Sequence, residues 1–337
     1  MLRRTGFWKL ACRMNGKQLL ETVRKIARRS GKNKVFLFFD VLYCGVAYGA
    51  GYQDYWLYEF EKLTRAQRRT YVTRGFNNRM VCLLNDKEKR EQFSDKGNFN
   101  RRYQDLMGRA FLDLTRCREE DFLEFVKKHQ VFAAKPPKGC CGKGFERVEA
   151  VQDAEPMKML RRLQKEGKTI VEEYLSQHPA LEKLHPSSIN TLRIGTMNHS
   201  GTVTVVYGFL RIGNHGNVVD NINSGGMCAP IDLDTGVIAG KACDKNGKAY
   251  ERHPVSGATI EGAEIPFWRD SLKLCVQAAG RAPEIGYIGW DVCVTPQGPV
   301  LVEGNEFPGH DILQLPEHTP KKVGMKPVFL KLVPELG

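Results

Sequence analysis

No apolar run in this chain of 337 residues reaches the length of a membrane span. The nearest, from Val35 to Gly51, is interrupted by Asp40 and rich in glycine, and is expected to be buried. Ten cysteines are present, but no paired Cys-x-x-Cys knuckle with neighbouring histidine, and the adjacent Cys140-Cys141 pair makes an awkward disulfide framework. With no leader of the secretory kind, free thiols in a reducing cytoplasm are expected. His185, His215, His253 and His310 are scattered without His-Glu-x-x-His spacing, which argues against zinc. There is no Gly-x-Ser-x-Gly elbow, no His-Arg-Asp loop and no Walker A loop. Internal repeats and low-complexity linkers are also missing.

Acid is scarce at the start. Residues 1–34 hold eleven lysines and arginines against Glu21 alone, ten of the net thirteen positive charges. Phe7, Leu10, Ala11, Met14, Leu19, Leu20, Val23, Ile26 and Ala27 recur among them at helical spacing. The segment is expected to pack its apolar face on the domain and solvate its basic face; peripheral contact with an anionic membrane is the alternative. No aromatic-basic interleaving marks a nucleic-acid groove. The aromatics from Phe36 to Phe60 are expected to be core, and Thr64-Arg65-Ala66-Gln67 to cap a helix ending near Gly75–Asn78. Residues 1–80 are thus predicted to be a mainly helical region.

Further along, Asn85-Asp86-Lys87 opens a helix, residues 121–128 form another, and Val131–Ala134 form a strand ending at Lys135. A loop follows, Pro136 to Phe145, whose Gly139, Gly142 and Gly144 let backbone N–H groups turn on an anion while Lys138 and Lys143 add charge. Helix 154–165 and strand 169–175, with Glu172-Glu173-Tyr174-Leu175, come next. A hairpin turns at His199-Ser200-Gly201, and a helix is expected over 266–279. A second hairpin joins Trp290–Val294 to Val300–Val302 through Pro296–Pro299. It sets Asp291 beside Glu303 and Asn305, hard oxygen donors that suit Mg²⁺ between protein and nucleotide phosphates.

This order of strand-end lysine, glycine-rich loop, Glu-Glu-Tyr-Leu strand, arginine strand and Asp…Glu-x-Asn resembles the ATP-grasp superfamily. His178-Pro179, Ser187–Thr196, Asn221–Ile231 and His253-Pro254 resemble, more narrowly, the sugar-transfer-associated ATP-grasp family. The resemblance implies an α+β fold of two subdomains, 81–175 and 176–337, clasping ATP. It implies that Lys87 and Lys135 contact phosphates, that Lys138–Phe145 close over them, and that Glu172–Leu175 are the hinge reading adenine. His178 or Glu182 is the expected ribose partner, and Asp291, Glu303 and Asn305 the Mg²⁺ ligands. Arg193, with Asn190 near it, is expected to face the reacting phosphoryl group or an acidic substrate.

The implied activity is an ATP-dependent carboxylate–amine ligase acting through an acylphosphate, on an acidic small-molecule or glycan-linked acceptor of cell-surface polysaccharide or glycoconjugate modification. A kinase acting on a sugar or polyol hydroxyl and a non-catalytic membrane adaptor are the alternatives. The D-alanine ligase branch has an arginine just before the first metal aspartate; here Gly289-Trp290 stand there, so any oxyanion stabiliser is expected from Arg193 or the Ser224-Gly225-Gly226 turn. Cys228 and Cys243 are expected to be buried apolar thiols.

Overall fold

Asparagine starts the first two helices among the described residues and glycine stops them. Asn15 accepts from the Gln18 amide at 3.2 Å at the head of α1 (Gly16–Ser30), and Gly31, at φ 69°, ends it. Asn33 caps α2 (Lys34–Tyr48) in the same way, and Gly49 closes it at φ 66°. The structure, a computed structural model, describes residues 15–139, 143–150, 155–216 and 219–337. Residues 1–14 of the basic segment and Cys140-Cys141-Gly142 of the glycine-rich loop therefore lie outside the described residues.

The chain divides into two compact units. The first takes the described residues to Leu83, with 246–248 and 309–337. It continues from α2 through α3 (Tyr52–Leu57), α4 (Arg65–Arg68) and α5 (Arg74–Leu84). The rings of Tyr55, Tyr58, Phe60 and Tyr71 pack 5.3 to 5.9 Å apart, so this part of the aromatic stretch is core as expected. Phe36, Phe39 and Tyr43, expected in the core, are instead exposed. The helix expected to run from Thr64 to about Gly75 is also corrected. Its Thr64–Gln67 capping box forms, but the helix stops at Arg68 and a new one starts at Arg74. Between them the Val72 backbone is held at both ends by the Gln314 amide, at 2.8 and 2.9 Å, which competes with helical pairing.

The second unit takes 84–245 and 249–308. Asp86 and Asp95 cap α6 (Lys87–Phe93) and α7 (Lys96–Met107). Then β1 (Phe111–Asp113), α8 (Glu119–Lys128), β2 (Val131–Lys135), β3 (Glu146–Glu149), α9 (Pro156–Lys165) and β4 (Ile170–Glu173) form an antiparallel sheet in the order β1-β4-β2-β3. Phe122, Phe125 and Leu163 of its helices pack on Phe132 and Val171 of the sheet.

After the short helix α10 (Pro179–Glu182) come β5 (Leu192–His199), β6 (Thr202–Ile212), β7 (Met227–Pro230), β8 (Ala242–Asp244), β9 (Ala249–Tyr250), α11 (Trp268–Gly280), β10 (Tyr287–Thr295) and β11 (Gly298–Asn305). These strands make a seven-stranded antiparallel sheet, β11-β10-β5-β6-β7-β8-β9. Ser200 and Gly201 turn the β5–β6 hairpin with φ of 51° and 82°, the left-handed pair that two-residue hairpins need. The larger core lies between this sheet, α7 and α11.

Candidate functional site

Within the second unit the two sheets present their polar strand ends to one cleft. β2 contributes Lys135, and β4 runs into Glu172-Glu173-Tyr174-Leu175. In the ladder Ala133 faces Glu172, so Lys135, two residues on, shares its side of the sheet. Lys135 Nζ donates to Glu172 Oε2 at 2.9 Å, as does Arg109 Nε at 2.8 Å, while Asn100 Nδ2 donates to Oε1 at 2.9 Å. Burial opposes the Glu172 charge, but Arg109 and Lys135 outweigh it and hold the carboxyl well below the usual range.

Arg109 joins this cluster to β11. Its Nη1 donates to Leu301 O at 2.5 Å and its Nη2 to Val302 O at 3.1 Å. These carbonyls belong to a bulge: Asp291 faces Glu303 and Val292 faces Leu301, leaving Val302 as the extra residue. The bulge frees backbone acceptors for a buried guanidinium.

The hairpin β10–β11 brings Asp291, Glu303 and Asn305 together, Asp291 directly opposite Glu303 and Asn305 opposite Gly289. Asp291 is buried and paired twice. Arg193 grips it with Nε at 2.5 Å and Nη2 at 3.0 Å, and Arg211 Nη1 lies 2.8 Å from Oδ2. Arg211 Nη2 also donates to Asp220 Oδ1 at 3.0 Å, and Asp220 accepts from the Thr191 amide at 2.9 Å. A line of alternating charge, Arg193–Asp291–Arg211–Asp220, thus crosses β10, β5 and β6. Burial works against the Asp291 charge, and the two guanidiniums reverse that and lower its pKa. Glu303 moves the other way: burial, then the Asp291 charge, push it up.

Two crowded carboxylates beside an amide form an oxygen donor set of the kind a divalent cation relieves, so the residues present fit Mg²⁺. Asp291 would keep its arginines. Among the described residues no cluster of three His, Cys, Asp or Glu could hold a metal by itself. The amide of Asn305 spends its donor on Gly289 O at 3.2 Å and on Glu303 Oε1 at 3.4 Å.

Of the residues singled out from the sequence, Lys135, Gly139, Lys143, Glu172, Glu173, Tyr174, Leu175, Asp291 and Glu303 line the cleft. Lys138 and Asn305 line an adjoining pocket that shares Lys96, Lys135 and Glu303 with it. Gly144, at φ 78°, shapes the loop: a Cβ there would meet Pro136 at 3.1 Å. Gly142 lies outside the described residues. Arg193 sits behind Asp291, and the arginines that line the cleft are Arg109 and Arg211.

Other expected residues stand elsewhere. Lys87 is exposed at the start of α6, and the structure puts Lys96 in the cleft instead, its Nζ on Gly139 O at 2.9 Å. His178 caps α10 by accepting from the Ala180 amide, and Glu182 is exposed on the same helix; neither lines the cleft. Asn190 is a buried clamp, donating to Leu181 O and His185 O and accepting from Gly213 N. His253 is likewise buried, on Gly213 O at 2.9 Å, and His310 binds Asp54 in the first unit. Cys228 and Cys243 are buried.

Sequence reasoning missed Lys96, Arg109, Arg211, Asp220 and Asn100. The signal for Arg211 was available: Arg193 pairs with Phe209, and alternation puts Arg211 on the same face.

The model of the sugar-transfer associated ATP-grasp family matches residues 66–323 of the chain. No curated protein matches it. Among solved structures, the ATP-grasp ligase PsnB complexed with minimal precursor is 15% identical at a TM-score of 0.43, covering 75% of this chain and 64% of that one. The D-alanine-D-alanine ligase from Coxiella burnetii is 10% identical at 0.45, covering 79% and 66%. The ADP complex of PurK, N5-carboxyaminoimidazole ribonucleotide synthetase, is 10% identical at 0.41, covering 66% and 46%. The chain therefore spans less than two thirds of PsnB and under half of PurK.

Proposed function

The chain belongs to the sugar-transfer associated ATP-grasp family, and from that premise we propose that it joins a carboxylate to an amine at the expense of ATP, through an acylphosphate. The observation that carries this reading is the meeting of hinge, lysines and paired carboxylates in one cleft, with Glu173–Leu175 at one side and Asp291 and Glu303 at the other. Adenine would lie along the hinge backbone. Lys96, Lys135 and Lys143 would take the phosphates, with Gly139 and Gly144 giving the loop the backbone freedom to approach them. Held by Asp291, Glu303 and Asn305, Mg²⁺ would supply charge neutralisation on the terminal phosphates.

In the first step a carboxylate oxygen attacks the γ-phosphorus and the bond to the β–γ bridging oxygen breaks, releasing ADP. In the second, the amine nitrogen attacks the acyl carbon, phosphate leaves with the bonding electrons, and the amine proton passes to solvent. Arg211, fixed by Asp291 and Asp220 on its two sides, would stabilise the oxyanion. In this reading Arg211 takes the role that an arginine on β10 would have. A side chain at Gly289 would start 3.2 Å from Pro308 Cβ and 3.3 Å from Arg193 Cδ, so that space is already filled. An acceptor tied to cell-surface polysaccharide or glycoconjugate modification follows from the family, while the lining itself sets five cations, Lys96, Arg109, Lys135, Lys143 and Arg211, against five carboxylates.

Purified protein is incubated with Mg-ATP and fractionated small-molecule extract, following ADP and free phosphate together, with hydroxylamine as an amine trap. Equal ADP and phosphate with hydroxamate formation are expected, and E303A/N305A should abolish both while the circular dichroism spectrum is kept. ADP without free phosphate would replace this reading with phosphoryl transfer to a hydroxyl. Full turnover by E303A/N305A would sink the metal assignment.

A further inference from the structure

The outer face of α2 is apolar where a surface helix is ordinarily polar. Val35, Phe36, Phe39 and Tyr43 are 65%, 55%, 64% and 40% exposed. Their spacing sets them on one side of the helix, while Leu37, Val41 and Cys44 on the other side are buried. A run of large apolar side chains in water marks an interaction surface.

Charge says what kind. Asp40, the acid of α2, accepts from both Nη atoms of Arg68 at 2.8 Å and from Tyr55 Oη at 2.5 Å, so its charge is answered within the protein. Lys34 stands exposed at one end of the apolar stripe, next to Lys32, whose ammonium donates to Glu61 O. At the other end the exposed Arg65 lies 5.5 Å over the Tyr43 ring. The preceding helix α1 exposes Lys17, Arg24, Lys25 and Arg28 against the exposed Glu21. Aromatics flanked by cations at both ends complement a surface that is oily inside and anionic at its edge.

We propose that α2 docks this face on an anionic lipid bilayer, its aromatics at the boundary of headgroups and acyl chains and its flanking lysines and arginines on lipid phosphates. The helix lies on the membrane and does not cross it. Its 15 residues span about 22 Å, and no helix among the described residues is long and apolar enough to cross. The inference is independent of the cleft chemistry, because α2 belongs to the other unit.

The full chain is sedimented with vesicles of phosphatidylcholine plus phosphatidylserine and with phosphatidylcholine alone. Binding is expected only to the anionic vesicles, weakened by salt, and about tenfold weaker in F36S/F39S. Both residues are exposed, so the variant should keep the wild-type circular dichroism spectrum, and K34E/R65E should lose binding as well. Equal binding by wild type and F36S/F39S would overturn the proposal. So would vesicle binding that appears only after deletion of residues 1–14, since that segment would then be the occupant of the face. A dimer that F36S/F39S converts to monomer in sedimentation velocity would assign the face to a second copy and overturn it too.

Discussion

Glu172 is the buried anion that two cations of the cleft share. Its side chain is 3% exposed and that of Arg109 1%, so their pair is held away from water. Replacing the carboxylate alone leaves a buried guanidinium short of its counter-charge, which costs more than the pair itself contributes. Glu172→Gln should therefore lower stability by about 3 kcal/mol, read from urea unfolding midpoints at unchanged slope. The pH dependence has a definite sign. Folding lowers the Glu172 pKa, so the folded state is favoured by the charged form above the ordinary glutamate value of about 4.3. That contribution is lost as pH falls below this value toward the lowered one. The stability gap between wild type and E172Q should stay flat from neutral pH to about 5 and shrink below about 4. A gap that widened in acid would remove Glu172 from this role.

At the level of elements, α11 is seated on the large sheet by one indole. Trp268 is buried, donates Nε1 to Leu233 O at 3.0 Å, and lies on Gly208 of β6. A Cβ at Gly208 would fall 2.5 Å from the ring edge, and the ring is wedged by Gly236 on another side. Gly208→Ala should cost on the order of 1–3 kcal/mol, with the loss appearing as faster unfolding and as a shift of tryptophan fluorescence on loosening of the helix. No change in either would mean that the indole has room to move.

The elements themselves were largely legible in the sequence. The hairpin about Pro296–Gly298 follows from turn residues between apolar runs, but its register alone would set Asp291 opposite Val302, and it is a bulge that moves Glu303 into that place. The bulge at Val302 was not legible, because it is set by what the freed carbonyls bind, and Arg109 reaches them from far along the chain. Lys96 and Arg109 look in the sequence like any solvated cation. Only the tertiary fold shows that one lines a cleft and the other is buried.

For the whole molecule, sequence order and spatial grouping part company. Residues 309–337 belong to the unit formed by the N-terminal helices. Gln314 pairs with both backbone groups of Val72, Tyr71 Oη meets Thr319 Oγ1 at 3.1 Å, and the Arg79 guanidinium caps Leu336 O at 2.8 Å. These bonds close a helical unit that holds none of the cleft residues. A ligand that binds one unit stabilises that unit by mass action and leaves the other at its own stability. Calorimetry of the full chain should then show two transitions, and Mg-ATP at about a hundred times its dissociation constant should raise one of them, by on the order of 5–10 °C, since about 2.7 kcal/mol acts on a unit of some two hundred residues. Hydrogen exchange should assign that transition: slowed amides are expected along Ala133–Lys135, Glu172–Leu175 and Asp291–Asn305, with those of α1, α2 and the segment after Gly309 unchanged. A single transition that moves as a whole would mean that the two units unfold together and that nucleotide binding is coupled through both.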